Sequence, residues 1–184
     1  MARFKLDEKK FKELLLLLAS ECKDDVFFGA TKVNKQLFFA DFIAFEKLGR
    51  PITGADYMAL ERGPVPRRLL PIRAAMIEDD ELAIEQRGQQ ERLIPLRDPD
   101  LSVFTKQEKA VISDVIEALR SKDAETVSNL SHLFLGWQAA YAEGVAQQRY
   151  VSIPYGTCAV SNEPITKTER EQVLELAQKY EWPT

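Results

Sequence analysis

The sequence predicts a mainly α fold with a small β-hairpin, an α+β domain built round one central, phenylalanine-rich helix. Three observations carry this expectation. Apolar residues recur at helical spacing through most of the chain. One such segment, GATKVNKQLFFADFIAFEKLG at 29–49, is apolar almost all round, which marks a helix with neighbours on several sides. A single stretch, ELAIEQRGQQERLIPL at 81–96, alternates apolar and polar residues instead. The 184 residues are 45% apolar and 29% charged, which suits one ordinary core, so 1–184 is expected to be a single domain.

The elements follow in order. Residues 7–22 place Phe11, Leu14, Leu15, Leu18 and Cys22 at helical spacing behind Asp7, a good N-cap. The helix at 29–49 has Thr31 as its expected N-cap and Gly49 as its stop. In the punctuated segment GRPITGADYMALERGPVP (49–66), residues 56–61 are expected to make one or two helical turns with Tyr57 and Leu60 inward, broken by GPVP. A third helix begins within 66–70, so that Pro71 lies in its first turn, and buries Leu69, Leu70, Ile72, Ala75 and Met76. The alternating stretch 81–96 turns at RGQQ, with Pro95 suited to an edge strand.

TKQE at 105–108 is a capping box that opens a helix to about Arg120. Asp123 caps a short helix to about residue 132 or 134. LGWQAAYAEG (135–144) makes a turn or helix that Gly144 ends. Residues 145–165 read as irregular, and 166–180 as a closing amphipathic helix with Val173, Leu176, Ala177 and Tyr180 on one stripe.

The reactive groups argue against an enzyme. His132 is the only histidine, so a histidine-based metal cluster is excluded, and neither a metal nor a cofactor is expected. Nucleophile-elbow, Walker and dinucleotide-binding motifs are absent. Cys22 and Cys158 lack ligand spacing and are expected as reduced thiols. The longest apolar run, LLLLLA at 14–19, is too short to span a bilayer, and the first residues read as helix rather than leader. The cytoplasm is the expected location. The net charge of −4 argues against broad nucleic-acid binding.

Several polar residues stand within apolar surroundings or beside the turns: Asn34, Lys35, Asp41, Tyr57, Ser131, His132 and Trp137. Asp41 is expected to accept hydrogen bonds that tie down a neighbouring loop. Ser131 and His132 are expected to satisfy backbone at a helix end, with Trp137 plugging the core. Arg62, Arg67, Arg68 and Arg73 form a basic run, with Arg87 and Arg92 flanking the hairpin turn. Three helices and a hairpin follow the order of a winged helix, so the first half offers DNA binding as an alternative function. Arginine is equally suited to an acidic protein partner.

TKVNKQLFFADF (31–42), GRPITGADYMALERGPVP (49–66) and LSHLFLGW (130–137), in that order, resemble the three signatures of the Panacea domain, the SocA-like antitoxin domain also met in phage-associated proteins. The resemblance spans about residues 10–145 and leaves 146–184 as a tail and helix. Val33, the Gln36–Leu37–Phe38 run and the Leu-Phe-Leu-Gly after His132 depart from the usual pattern. The resemblance implies a predominantly helical domain with a small β element. It further implies an antitoxin of a two-gene toxin–antitoxin system, which neutralises a toxin by direct protein contact, and in one family member by delivering it to a protease. The expected partner is a toxin encoded next door. Its expected contact face is Arg62, Pro64, Val65, Arg67, Arg68 and Arg73, because loops held by rigid flanks often carry binding.

Overall fold

The computed structural model describes residues 4–158. The helix expected at 166–180 lies outside the described residues. Within them run six α-helices and two antiparallel hairpins: α1 (Glu8–Glu21), α2 (Ala30–Leu48), β1 (Tyr57–Leu60), β2 (Gly63–Pro66), α3 (Leu69–Glu78), β3 (Leu82–Arg87), β4 (Gln90–Pro95), α4 (Lys106–Leu119), α5 (Ala124–His132) and α6 (Leu135–Gln147). The fold is mainly α with small β elements, as the periodicity predicts. No described helix is long and apolar enough to cross a membrane.

Helix α2 is the axle. It packs against α1, α4 and α5, against strands β2 and β4, and against the 3-10 turn Tyr155–Cys158. Val33, Leu37, Phe38, Ala40, Phe42 and Ala44 are all buried along it. Its phenylalanines seed an aromatic cluster in which Phe38 and Phe42 lie 4.3 Å apart and Tyr155 stacks on Phe42 at 4.6 Å. An axle packed on so many sides also buries polar groups. Lys32 is 0% exposed and bonds Asp25 at 2.6 Å, satisfying a charge that could not otherwise leave water.

Local chemistry fixes most boundaries. Asp7 accepts from the Lys10 N–H at the start of α1. Thr105 and Glu108 close the capping box of α4, which buries Val111, Ile112, Val115, Ile116 and Leu119. Asp123 caps α5 through the Thr126 N–H. Gly49 ends α2 in the left-handed region at φ 73°. α3 starts at Leu69, so Pro71 sits in the first turn, where its missing N–H has no helical partner to lose.

Five sequence expectations are corrected. Gly29, not Thr31, is the N-cap of α2, because the chain enters extended there and makes no side-chain cap bond. Residues 57–60 are a strand rather than helical turns, paired with 63–66 in the register Tyr57 to Pro66 through Leu60 to Gly63. Leu70 is 63% exposed, on the outer side of α3. Gly144 does not end α6, which runs on to Gln147 and stops at Gln148 in the left-handed region. The tail at 151–153 is not wholly irregular: it pairs antiparallel on the free edge of β1, with Ala59 N–H donating to Val151 C=O and Ile153 N–H to Tyr57 C=O.

The second hairpin, β3–β4, matches the expected segment and pairs Leu82 with Pro95 through Arg87 with Gln90. The winged-helix order changes, because β1–β2 stands between α2 and α3, where a winged helix has a short turn. Arg92 is no surface cation. It is 3% exposed and donates to the backbone carbonyls of Asp25, Cys22 and Lys23, closing the loop after α1.

Candidate functional site

The three signature segments converge on the β1–β2 hairpin and fasten it at two levels. At the base, Asp41 on α2 is 0% exposed. One carboxylate oxygen accepts the Thr53 N–H at 2.6 Å. The other accepts the Thr53 hydroxyl at 2.5 Å and the Tyr57 hydroxyl at 2.8 Å. Tyr155 reaches the same oxygen at 3.3 Å and donates to Ala55 C=O at 2.6 Å. Burial raises the Asp41 pKa, and the Thr53 and tyrosine hydrogen bonds oppose that rise. Asp41 thus ties down the GRPITG loop and the first residue of β1.

At the tip, the hairpin's own carbonyls are the anchor points. Lys35 is 1% exposed, and its ammonium donates to Arg62 C=O at 2.5 Å and more weakly to Pro64 C=O at 3.5 Å. Burial lowers its pKa to about 8. From the opposite side, Trp137 Nε1–H donates to Leu60 C=O at 3.1 Å. His132 stacks on Trp137 at 4.1 Å, and Trp137 on Tyr141 at 5.1 Å, so the indole is held flat. The His132 pKa is lowered, by burial first and by the Lys35 charge second, with the Glu61 backbone opposing. Ser131 is buried and donates to Ser128 C=O inside α5.

Two of these polar groups keep a buried atom without a partner. His132 meets the hairpin backbone at Glu61, as expected, and also stacks on Trp137, while its Nε2 is buried without a hydrogen-bond partner. Asn34 Oδ1 is likewise buried and unpartnered.

Gly63 shows how tight the tip is. Its φ is +95°, and a Cβ there would stand 2.5 Å from Ser131 Oγ and 2.8 Å from the Lys35 ammonium. Gly63→Ala is therefore expected to cost roughly 1–3 kcal/mol from left-handed strain, plus whatever Lys35 loses on being displaced. Chemical denaturation measures the loss, and an unchanged midpoint would refute the close fit.

Between these anchors only the turn Glu61–Arg62 is exposed. Clefts flank it on both sides. One of about 740 Å³ lies toward α6, lined by Leu60, Glu61, Tyr141, Val145 and Tyr150. One of about 320 Å³ lies toward α2, lined by Asn34, Lys35, Arg62 and Val65. A rigid, narrow projection between two grooves suits contact with a protein surface. Among the described residues, no group of histidine, cysteine, aspartate or glutamate could hold a metal ion.

The expected contact residues divide. Arg62 and Arg68 are exposed and have no ion pair among the described residues. Arg67 is exposed and pairs with Asp56 at 2.9 Å, and half-buried Arg73 pairs with Glu91 at 3.1 Å. Val65 is half-buried. Pro64 is buried and belongs to the hairpin's inner side, which leaves it out of an accessible face. The sequence reading missed Thr53, Gly63 and Tyr155, and the role of Lys35 as a clamp on backbone carbonyls.

The family model described as "Antitoxin SocA-like, Panacea domain" matches residues 33–138. The chain belongs to the SocA-like Panacea antitoxin family. That match runs from α2 to the early turns of α6 and so contains both anchors, Asp41 and Lys35, the whole β1–β2 hairpin, and His132 with Trp137. Neither a curated protein nor a solved structure matches the chain. In this Panacea domain the signatures are first of all the parts that build and hold one hairpin.

Proposed function

We propose that this chain is the antitoxin of a two-gene toxin–antitoxin system, that it acts in the cytoplasm without catalysis, and that it neutralises a cognate toxin from an adjacent gene by direct contact. Family membership supports the antitoxin role. The observation that carries the contact mode is the hairpin tip, clamped through Leu60, Arg62 and Pro64 carbonyls and exposed only at Glu61–Arg62. Side chains presented on a fixed frame lose little entropy on binding. The contact face is Arg62 and Val65, continued by Arg67, Arg68 and Arg73, and its excess of cations suits an acidic patch on the toxin.

DNA binding is the weaker reading. Of its six arginines, Arg92 is buried, and Arg67, Arg73 and Arg87 each pair with a carboxylate. An absence of salt-sensitive gel shift on the chain's own promoter would remove it.

Co-expression with the adjacent gene is the direct test. A neighbour that is harmless alone, or still toxic beside this chain, sinks the pairing. Arg62→Glu, at an exposed turn, is expected to weaken toxin binding by about tenfold or more while leaving the melting temperature unchanged. Unchanged binding would move the face elsewhere. Neutralisation that persists in purified, protease-free mixtures separates direct block from delivery to a protease.

A further inference from the structure

Helix α3 is apolar on two sides. Leu69, Ile72 and Met76 are buried against the core. Leu70 is 63% exposed, Ile77 is 38% exposed, and Ala74 between them is exposed as well. At 100° per residue these three lie within about 60° of one another, on the side away from the core. A solvent face of an ordinary surface helix carries polar residues there instead.

The charges at the two ends of this stripe are opposite. Arg67 and Arg68 stand just before the helix, and Asp79 and Asp80 just after it. All four are exposed. Arg68 and Asp80 have no ion pair among the described residues, Asp79 has only a 3.8 Å contact with Lys12, and Arg67 pairs with Asp56 at 2.9 Å through Nε, which leaves an outer nitrogen for a second carboxylate. Their order is symmetric about the midpoint between Arg73 and Ala74. Leu70 and Ile77 are equally far from that point. So are Arg68 and Asp79, and so are Arg67 and Asp80.

We propose that the chain forms a two-fold symmetric homodimer in which α3 packs antiparallel on α3 of a second copy. An axis through that midpoint sets Leu70 against Ile77, Arg68 against Asp79, and Arg67 against Asp80, each contact made twice. Ala74 beside the axis lets the two backbones approach closely. Arg73 does not block the axis, because its guanidinium is drawn aside to Glu91 on β4. A partner of one charge sign would meet repulsion at one end of the stripe. A second copy of this chain, reversed, meets attraction at both.

From Leu70 to Ile77 the stripe spans about 10 Å, which is small for a stable interface, so a dissociation constant of about 10–100 μM is expected. Sedimentation velocity on the full chain from about 5 to 200 μM in low salt reads it directly. The wild type is expected to shift from monomer to dimer across that range. Ala74→Arg, at an exposed helical site, is expected to stay monomeric with unchanged circular dichroism. Arg68→Glu is expected to weaken the dimer about tenfold or more, and Arg68→Glu with Asp79→Arg to restore it. A wild type that stays monomeric throughout, a dimer indifferent to Ala74→Arg, or a charge swap without rescue would each overturn the proposal. The readout is mass, so its failure leaves the antitoxin role untouched, and loss of that role leaves the dimer standing.

Discussion

Replacing Asp41 with alanine is expected to lower the unfolding free energy by about 3–5 kcal/mol. The carboxylate collects the Thr53 N–H, the Thr53 hydroxyl and the Tyr57 hydroxyl, with Tyr155 at longer range, all in the dry interior. Alanine takes that acceptor from the Thr53 and Tyr57 donors and opens a small void beside them. Asp41→Asn keeps the volume and one acceptor, and the hydroxyls can turn to accept from the new amide. Its loss is therefore expected to be about half as large or less. Urea denaturation of both variants decides the matter. Equal losses would mean that volume, not hydrogen bonding, is what Asp41 supplies.

Lys35→Met has the second large effect, and it carries a pH signature. The methionine fills the stem's volume but leaves Arg62 C=O without its donor, so the hairpin tip loosens and toxin binding is expected to fall with it. In the wild type the Lys35 pKa is about 8, against 10.5 for an ordinary lysine in water. Between these values the unfolded chain holds a proton that the folded chain has given up, so folding gains stability as pH rises. From pH 8 to about 9.5 that gain is roughly 2 kcal/mol for this one group. Lys35→Met removes it. Cys22, whose pKa is raised by burial, acts in the opposite direction over this range, but it does so in both proteins. The difference between the two stability–pH curves isolates Lys35, and parallel curves would show that its ammonium is not the buried clamp.

What the sequence disclosed followed from how local each signal was. Capping at Asp7, Thr105 and Asp123 depends on neighbours three residues away, and so could be read directly. The apolar-all-round pattern of α2 also gave its central place, and a buried Asp41 there had to find donors nearby. The hairpin at 57–66 was not legible. Its strands are four residues each, Pro64 and Pro66 remove two N–H groups, and its remaining support comes from Lys35, Trp137 and residues 151–153, all distant in sequence. Lys32, and the clamp role of Lys35, were hidden for a related reason. A helix packed on several sides buries cations along most of its length, but which carbonyl or carboxylate receives each one depends on tertiary placement.

The tail pairing at 151–153 bears on where this domain can be cut. The stretch that matches the family, 33–138, begins after α1 and ends before the strand that seals the outer edge of β1. α1 supplies a large share of the core, and Tyr155 stacks on Phe42 and reaches Asp41. The stretch that matches the family is thus smaller than the packed core it belongs to. A fragment trimmed to the signature would expose the edge of β1 and uncover α2, while a fragment from α1 through Tyr155 keeps the hairpin enclosed.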